Sequence, residues 1–158
     1  MMHKVYLGLG SNLGDRQLNI DQTIKALEAD EHITIISTSS FNEYQAEKRP
    51  NEPKFLNGVI KVLSNYSPND LLLRLEEIER EGGRQYKGAY HPRTIDIDIL
   101  LFDEEIVLED ALTIPHPLMH ERIFVMEPLA EIAPEAYHPI LAKNAATIFR
   151  ALKEGREL

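Results

Sequence analysis

The 158-residue sequence has no cysteine. That one absence excludes disulfides, thiolate nucleophiles and zinc–thiolate sites together. Nowhere does an apolar run approach the roughly 18 residues of a membrane-spanning helix. The opening Met-Met-His-Lys, followed by a short apolar strand ending in glycines, does not have the form of a signal peptide. Cations are scarce, with 17 Lys and Arg against 26 Asp and Glu and a formal charge of −9. This balance argues against a broad electrostatic grip on nucleic acid or an anionic membrane, so phosphate binding must come from a local basic cluster aided by metal. No repeat, low-complexity tract or linker divides the chain. The remainder, 43% hydrophobic and 27% charged, predicts one cytoplasmic globular domain over 1–158.

The most informative stretch runs from His91 to Phe102, His-Pro-Arg-Thr-Ile-Asp-Ile-Asp-Ile-Leu-Leu-Phe. From Thr94 on, an extended chain puts Ile95, Ile97 and Ile99 on one side and Asp96 and Asp98 together on the other. At roughly 3.3 Å of rise per residue, the two carboxylate stems stand about 6.6 Å apart, near enough to repel and to clasp cations between them. Alternating acids can also be simply the wet face of an amphipathic strand. Three details favour ligands. Asp is a poor strand former; no Lys or Arg sits between or beside the pair on their face; and hard cations such as Mg2+ take oxygen ligands, commonly one or two carboxylates with phosphate and water. The spacing suits two such ions roughly 3.5–4 Å apart, the arrangement that clamps a transferring phosphoryl group. Asp96 and Asp98 are therefore read as metal ligands, and Ile99-Leu100-Leu101-Phe102 as the strand entering a covered core.

Elsewhere the pattern predicts a strand over 4–9, a glycine-rich turn over 8–15 with Asp15 as a cap, and a helix with the stripe Ile20, Ile24 and Leu27. The glycines lack dinucleotide spacing and no Gly-Lys-Ser/Thr follows, so they read as a tight turn with close backbone packing. A strand over 33–40 leads to a long loop over 41–53, then to a strand over 55–63. Asn57 on that strand fits a turn or edge position, or an amide that reads a heterocycle edge. Ser67 and Pro68 start a helix with the stripe Leu71, Leu75 and Ile78, and Gly82-Gly83 stop it. Its acids Glu76, Glu77, Glu79 and Glu81 read for the most part as a solvated face. The segment 84–93, with Arg84, Lys87 and Arg93, suits a lid that closes on a metal-bound polyphosphate. A turn at 103–105, a short strand at 106–108, an extended Thr113-Ile114-Pro115-His116-Pro117, and helices over 122–133 and 144–152 complete the chain. His116 and His120 are four apart, but Pro117 argues against one helix through both and so against zinc. The order is the split βαβ pattern, which predicts an α+β fold: a ferredoxin-like βαββαβ sandwich with an additional C-terminal strand and helices. Helices are expected on one face of the sheet, leaving the other for Asp96, Asp98 and the loops.

With these residues placed, the sequence resembles the 6-hydroxymethyl-7,8-dihydropterin pyrophosphokinase family over nearly its whole length. The carrying pieces are Gly10-Ser11-Asn12-Leu13-Gly14-Asp15, Phe55-Leu56-Asn57, Pro92-Arg93-Thr94-Ile95-Asp96-Ile97-Asp98-Ile99-Leu100, and Pro115-His116-Pro117 followed by Arg122 and Phe124. The resemblance implies transfer of pyrophosphate from ATP to the pterin hydroxymethyl group with release of AMP, in folate biosynthesis. It implies that Asp96 and Asp98 hold two Mg2+ ions on the triphosphate and that Arg84, Arg93, His116 and Arg122 contact phosphates. Arg84 and Arg93 join the two aspartates as the catalytic set. By the same likeness Glu79, Tyr90, Ile99 and Thr113 line the nucleotide pocket, Phe55 and Phe124 sandwich the pterin, Asn57 bonds its edge, and Tyr44 and Asp96 lie on the pterin side. The expected partners are these two small molecules, with no nucleic acid or membrane and a monomeric protein.

The chain departs from the family pattern in two places. Segment 84–93 is one residue shorter, with Tyr86 or Lys87 where a second loop arginine stands, and Lys87 replaces a forked guanidinium only as a point charge. Tyr44-Gln45-Ala46 stands in place of a Thr-x-Pro element. A catalytically weak nucleotide or pterin binder, and a different two-metal phosphohydrolase, are the alternatives these residues leave open.

Overall fold

A computed structural model describes residues 1–46, 51–83 and 94–158. The first apolar run forms β1 (His3–Ser11), and the chain turns at Gly14, whose φ of +73° suits glycine, into α1 (Arg16–Ala29). Asp15 caps α1 by accepting a hydrogen bond from the Leu18 N–H at 3.1 Å. β2 (Ile33–Thr38), β3 (Asn42–Tyr44) and β4 (Phe55–Ser64) follow. Ser67 then caps α2 (Pro68–Glu81) by accepting from the Asp70 N–H, and β5 (Asp96–Phe102) carries the aspartates. The remainder comprises β6 (Val107–Leu108), β7 (Thr113–Ile114), a 3-10 turn (Met119–Glu121), α3 (Ile123–Ile132), β8 (Tyr137–His138), β9 (Lys143–Asn144) and α4 (Ala145–Glu154).

Among the described residues the main sheet runs β2-β4-β1-β5 with every neighbour antiparallel, and β3 also pairs with β4. This is the ferredoxin-like order. Leu7, Leu9, Ile60, Val62, Ile97 and Ile99 turn to one face, where they pack on Ile20 and Leu27 of α1 and Leu71, Leu75 and Ile78 of α2. Burying each such side chain is worth about 1.5–3 kcal/mol.

The expectation that the other face stays open is corrected. Tyr6, Val59, Leu100 and Leu101 pack there against Val125, Met126 and Leu129 of α3 and Ile148 of α4, so helices cover part of both faces. A bulge in the β1–β5 ladder brings this about. The register skips Leu100 between Tyr6↔Leu101 and Leu7↔Ile99, so Leu100 and Leu101 both reach the second face before Phe102 returns to the first.

Three further expectations change. Gly8 and Gly10 lie within β1 rather than in a turn, and the tight packing expected of them is across the sheet. Residues 42–44 of the expected loop form β3, because β4 supplies the pairing partner. The single additional C-terminal strand becomes two small hairpins, β6–β7 and β8–β9.

At the end of the sheet away from the aspartates, Asp30 follows α1 with a side chain only 6% exposed. It accepts hydrogen bonds from the His32 N–H at 2.8 Å, the Tyr66 hydroxyl at 2.9 Å and the Arg74 Nε at 2.9 Å. Burial alone would raise its pKa, but these three partners together outweigh burial and hold it below the ordinary value. Burial first, and then the Asp30 carboxylate, push the Tyr66 hydroxyl up to about 12.

Candidate active site

Antiparallel partners share a face of a sheet, so the register assembles the site. Asn42, Asn57, Gly10 and Asp96 form one row across β3, β4, β1 and β5. The next row is Val59, Gly8 and Asp98. The two glycines make a floor of bare backbone between the Asn57 amide and the two carboxylates. At Gly10 the missing side chain leaves the Asn57 amide its place, since a Cβ there would stand 2.5 Å from Asn57 Nδ2 and push it aside. Asp96 and Asp98 are half-buried on the side opposite Ile97 and Ile99, as the alternation predicts.

Aromatic side chains gather above the Asn57 end of this floor. Tyr44 pairs with Phe55 across β3 and β4, and its ring centroid lies 6.3 Å from that of Phe124 with the planes inclined at 56°. Phe55 Cδ1 lies 3.4 Å from where a Gly10 Cβ would be. The Arg122 guanidinium sits 5.5 Å from the Phe124 ring centre, so both residues at the start of α3 address the same corner. Burial first, and then the hydrogen bond from its hydroxyl to Glu127, raise the Tyr44 pKa well above the usual phenol range.

On the aspartate side, the His116 N–H donates to the Leu100 carbonyl at 3.0 Å, which ties the Pro115-His116-Pro117 segment to β5. His116 Nδ1 accepts from the Leu118 N–H at 3.3 Å, which orients the ring. Thr113 lies on β7, paired with Leu108. Glu79 departs from the solvated face expected of the α2 acids. It is buried, and its Oε2 accepts from the Ile97 N–H at 2.8 Å, whereas Glu77 and Glu81 are exposed as expected. Arg84, Tyr90 and Arg93, with Tyr86 and Lys87, lie outside the described residues.

The sequence reading missed the acids that dock α3 on the site. Glu127 accepts from the Tyr44 hydroxyl at 2.5 Å, and Glu131, one turn on, accepts from the Ser40 N–H at 3.0 Å and its hydroxyl at 3.1 Å. Their spacing on an otherwise apolar helix was the available signal. Arg16 likewise holds the rim, donating to the Lys54 carbonyl and to Glu43.

Among the described residues, His3, Asp103 and Glu105 bring three potential metal-ligand atoms within 4.8 Å of one another, far from this site. Asp103 is accounted for by the ends it ties. It contacts His3 Nδ1 at 2.7 Å, accepts from the Lys4 N–H at 2.8 Å and returns its own N–H to the Lys4 carbonyl.

The arrangement joins a group of aromatic side chains and an amide to a pair of carboxylates, over one glycine floor. Residues 6–134 match the model of the family described as 7,8-dihydro-6-hydroxymethylpterin-pyrophosphokinase. A 2-amino-4-hydroxy-6-hydroxymethyldihydropteridine pyrophosphokinase of Aquifex aeolicus is 42% identical over 142 residues, covering 90% of this chain and 88% of the relative. The Bacillus subtilis protein of that name is 38% identical over 132 residues, covering 84% and 79%. In three dimensions a Plasmodium falciparum HPPK-DHPS matches 98% of the chain with a TM-score of 0.74. At 16% identity that likeness speaks to the fold alone, and the chain spans 46% of the larger protein. Taken with the sequence identities, the match places this chain in the 7,8-dihydro-6-hydroxymethylpterin-pyrophosphokinase family.

Proposed function

We propose that the protein transfers pyrophosphate from ATP to the hydroxymethyl group of 6-hydroxymethyl-7,8-dihydropterin, releasing AMP, as a step of folate biosynthesis. The row Asn57–Gly10–Asp96 carries this reading, because it sets a hydrogen-bonding amide and a carboxylate on one floor beside Phe55 and Phe124. A neutral, flat heterocycle is held by offset stacking and directional amide bonds, which Phe55, Phe124, Tyr44 and Asn57 supply. Asp96 is the carboxylate in the row of Asn57, so a hydroxymethyl group on the far edge of the heterocycle points toward it.

The aspartate pair suits Mg2+. Both residues stand opposite glycines, so no β1 side chain competes for the space above them, and Asp96 and Asp98 would hold two such ions. The chemistry Mg2+ supplies at such a site is charge neutralisation on the triphosphate and alignment of the reacting phosphorus with the attacking oxygen. His116 and Arg122 contact phosphate oxygens, as do Arg84 and Arg93 from outside the described residues. Glu79, Tyr90, Ile99 and Thr113 line the nucleotide pocket. In support, the outer edge of β5 at Ile99 falls between the Glu79 bond at Ile97 and the His116 bond at Leu100. The chain works as one monomeric domain on dissolved substrates in the cytoplasm; among the described residues no helix is long and apolar enough to cross a membrane.

Incubation with ATP, Mg2+ and the pterin, followed by separation of the adenine nucleotides, should yield AMP only when pterin is present. Asp96→Asn and Asp98→Asn should each lower turnover on the order of a hundredfold or more. ADP or free phosphate without pterin would identify a hydrolase, and unchanged ATP a binding protein.

A further inference from the structure

Of the acids on α2, only Glu79 is buried, at 3% exposure. The other buried positions of that helix, Leu71, Leu75 and Ile78, are apolar. A carboxylate in such surroundings costs several kcal/mol to desolvate unless its oxygens are hydrogen-bonded. Glu79 Oε2 accepts from the Ile97 N–H at 2.8 Å. Ile97 separates Asp96 from Asp98, so both carboxylate-bearing residues leave the backbone immediately beside the group that Glu79 holds.

The strand needs such a hold. β5 pairs with β1 and, among the described residues, with no strand on its outer side. β1 faces Asp96 and Asp98 with Gly10 and Gly8, while Ile97 turns its N–H outward to α2. Edge strands twist and bulge readily, and β5 does bulge three residues on, at Leu100. Metal coordination tolerates ligand displacements of only about 0.2–0.5 Å. Two carboxylate stems about 6.6 Å apart on one face repel, which tends to splay the strand in the absence of cations.

We propose that Glu79 is a positioning residue for the metal site: by holding the Ile97 N–H from the outer edge, it fixes the separation and aim of Asp96 and Asp98. This rests on the reading of those aspartates as Mg2+ ligands, and it gives Glu79 a task distinct from lining the nucleotide pocket. The Ile97 side chain fixes the strand from the core, β1 fixes its inner edge, and Glu79 closes the remaining direction. An amide oxygen can accept the same N–H, whereas an alanine leaves it without its partner.

The test uses Mn2+ without nucleotide, since Mn2+ shares the oxygen ligands of Mg2+. Free Mn2+ is read by electron paramagnetic resonance while Tm is recorded on the same samples of the full chain. Glu79→Ala should weaken Mn2+ binding about ten- to a hundredfold. Glu79→Gln should restore it to within about twofold of the parent, because the acceptor is kept. A lower Tm in Glu79→Ala with unchanged Mn2+ affinity would reduce Glu79 to a structural role and overturn the proposal. Equal losses in both variants would assign the effect to charge and overturn it as well. Should Glu79→Ala not fold, Glu79→Leu, which fills similar volume without an acceptor, takes its place in the same comparison. Asp96→Asn is the control: if it binds Mn2+ like the parent, the metal reading itself has failed, whatever Glu79 does.

Discussion

At Gly10 a hydrogen in place of a side chain decides where Asn57 can lie. A methyl group there would meet the Asn57 amide at 2.5 Å, and that amide is the movable end of its side chain. Gly10→Ala should therefore fold and yet displace the amide. Calorimetric titration should show pterin affinity falling about three- to tenfold, the worth of one hydrogen bond, with ATP affinity little changed. Unaltered pterin affinity would remove Asn57 from the substrate slot. Phe124→Ala should cost pterin binding about 1–3 kcal/mol of stacking and ATP binding much less; equal losses for both ligands would contradict a stacking role. The shared face of Asp96 and Asp98 was legible in the sequence because strand alternation alone sets it, whereas Phe124 was singled out only by the family resemblance. Glu127 and Glu131 were not legible, because their partners Tyr44 and Ser40 stand 83 and 91 positions away. Residue pattern alone did not say which of the α2 acids would leave the solvated face, because helical periodicity says which residues share a face, not that the edge of a strand passes beside Glu79.

At the scale of elements, local signals worked where an element carries its own stop and start. Asp15 and Ser67 cap α1 and α2 as their positions foretell, and Asn144 caps α4 by accepting from the Thr147 N–H. β3 escaped because Asn42-Glu43-Tyr44 has little strand preference of its own and exists by pairing with β4. The Asp30 cluster binds α1, α2 and the end of β4 to one another, and its worth is measurable. Asp30→Asn should lower the unfolding free energy at pH 7 by about 1–3 kcal/mol in a denaturant titration. The sign with pH follows from its depressed pKa. The contribution is fully present above the ordinary value of 3.8 and is lost as pH falls through the lower folded value. From 3.8 down through the folded value, the acid limb of the stability curve should accordingly be shallower in Asp30→Asn than in the parent.

Across the whole molecule, one sheet separates two apolar clusters, and the second was the harder to foresee. The strand–helix order carried the ferredoxin-like core, but helix stripes do not say which face of a sheet they will cover. Val59, Leu100 and Leu101, apolar residues on the side expected to be open, were the clue. The α3–α4 layer also contains a buried histidine. His138 is 4% exposed, accepts from the Leu141 N–H at 3.1 Å and meets the His120 ring edge-on at 6.2 Å. Burial, and then the nearby His120, lower its pKa below the ordinary 6.5. A depressed histidine leaves stability intact above its unfolded value and erodes it as pH falls from there toward the folded one. Tm should therefore decline as pH falls below the ordinary 6.5, and His138→Gln should flatten that decline. The glycine floor, finally, bears on inhibition. A compound that lies flush on the backbone at Gly10 leaves the target little room for resistance, since any side chain introduced there to exclude the drug also displaces the Asn57 amide proposed to grip the natural ligand.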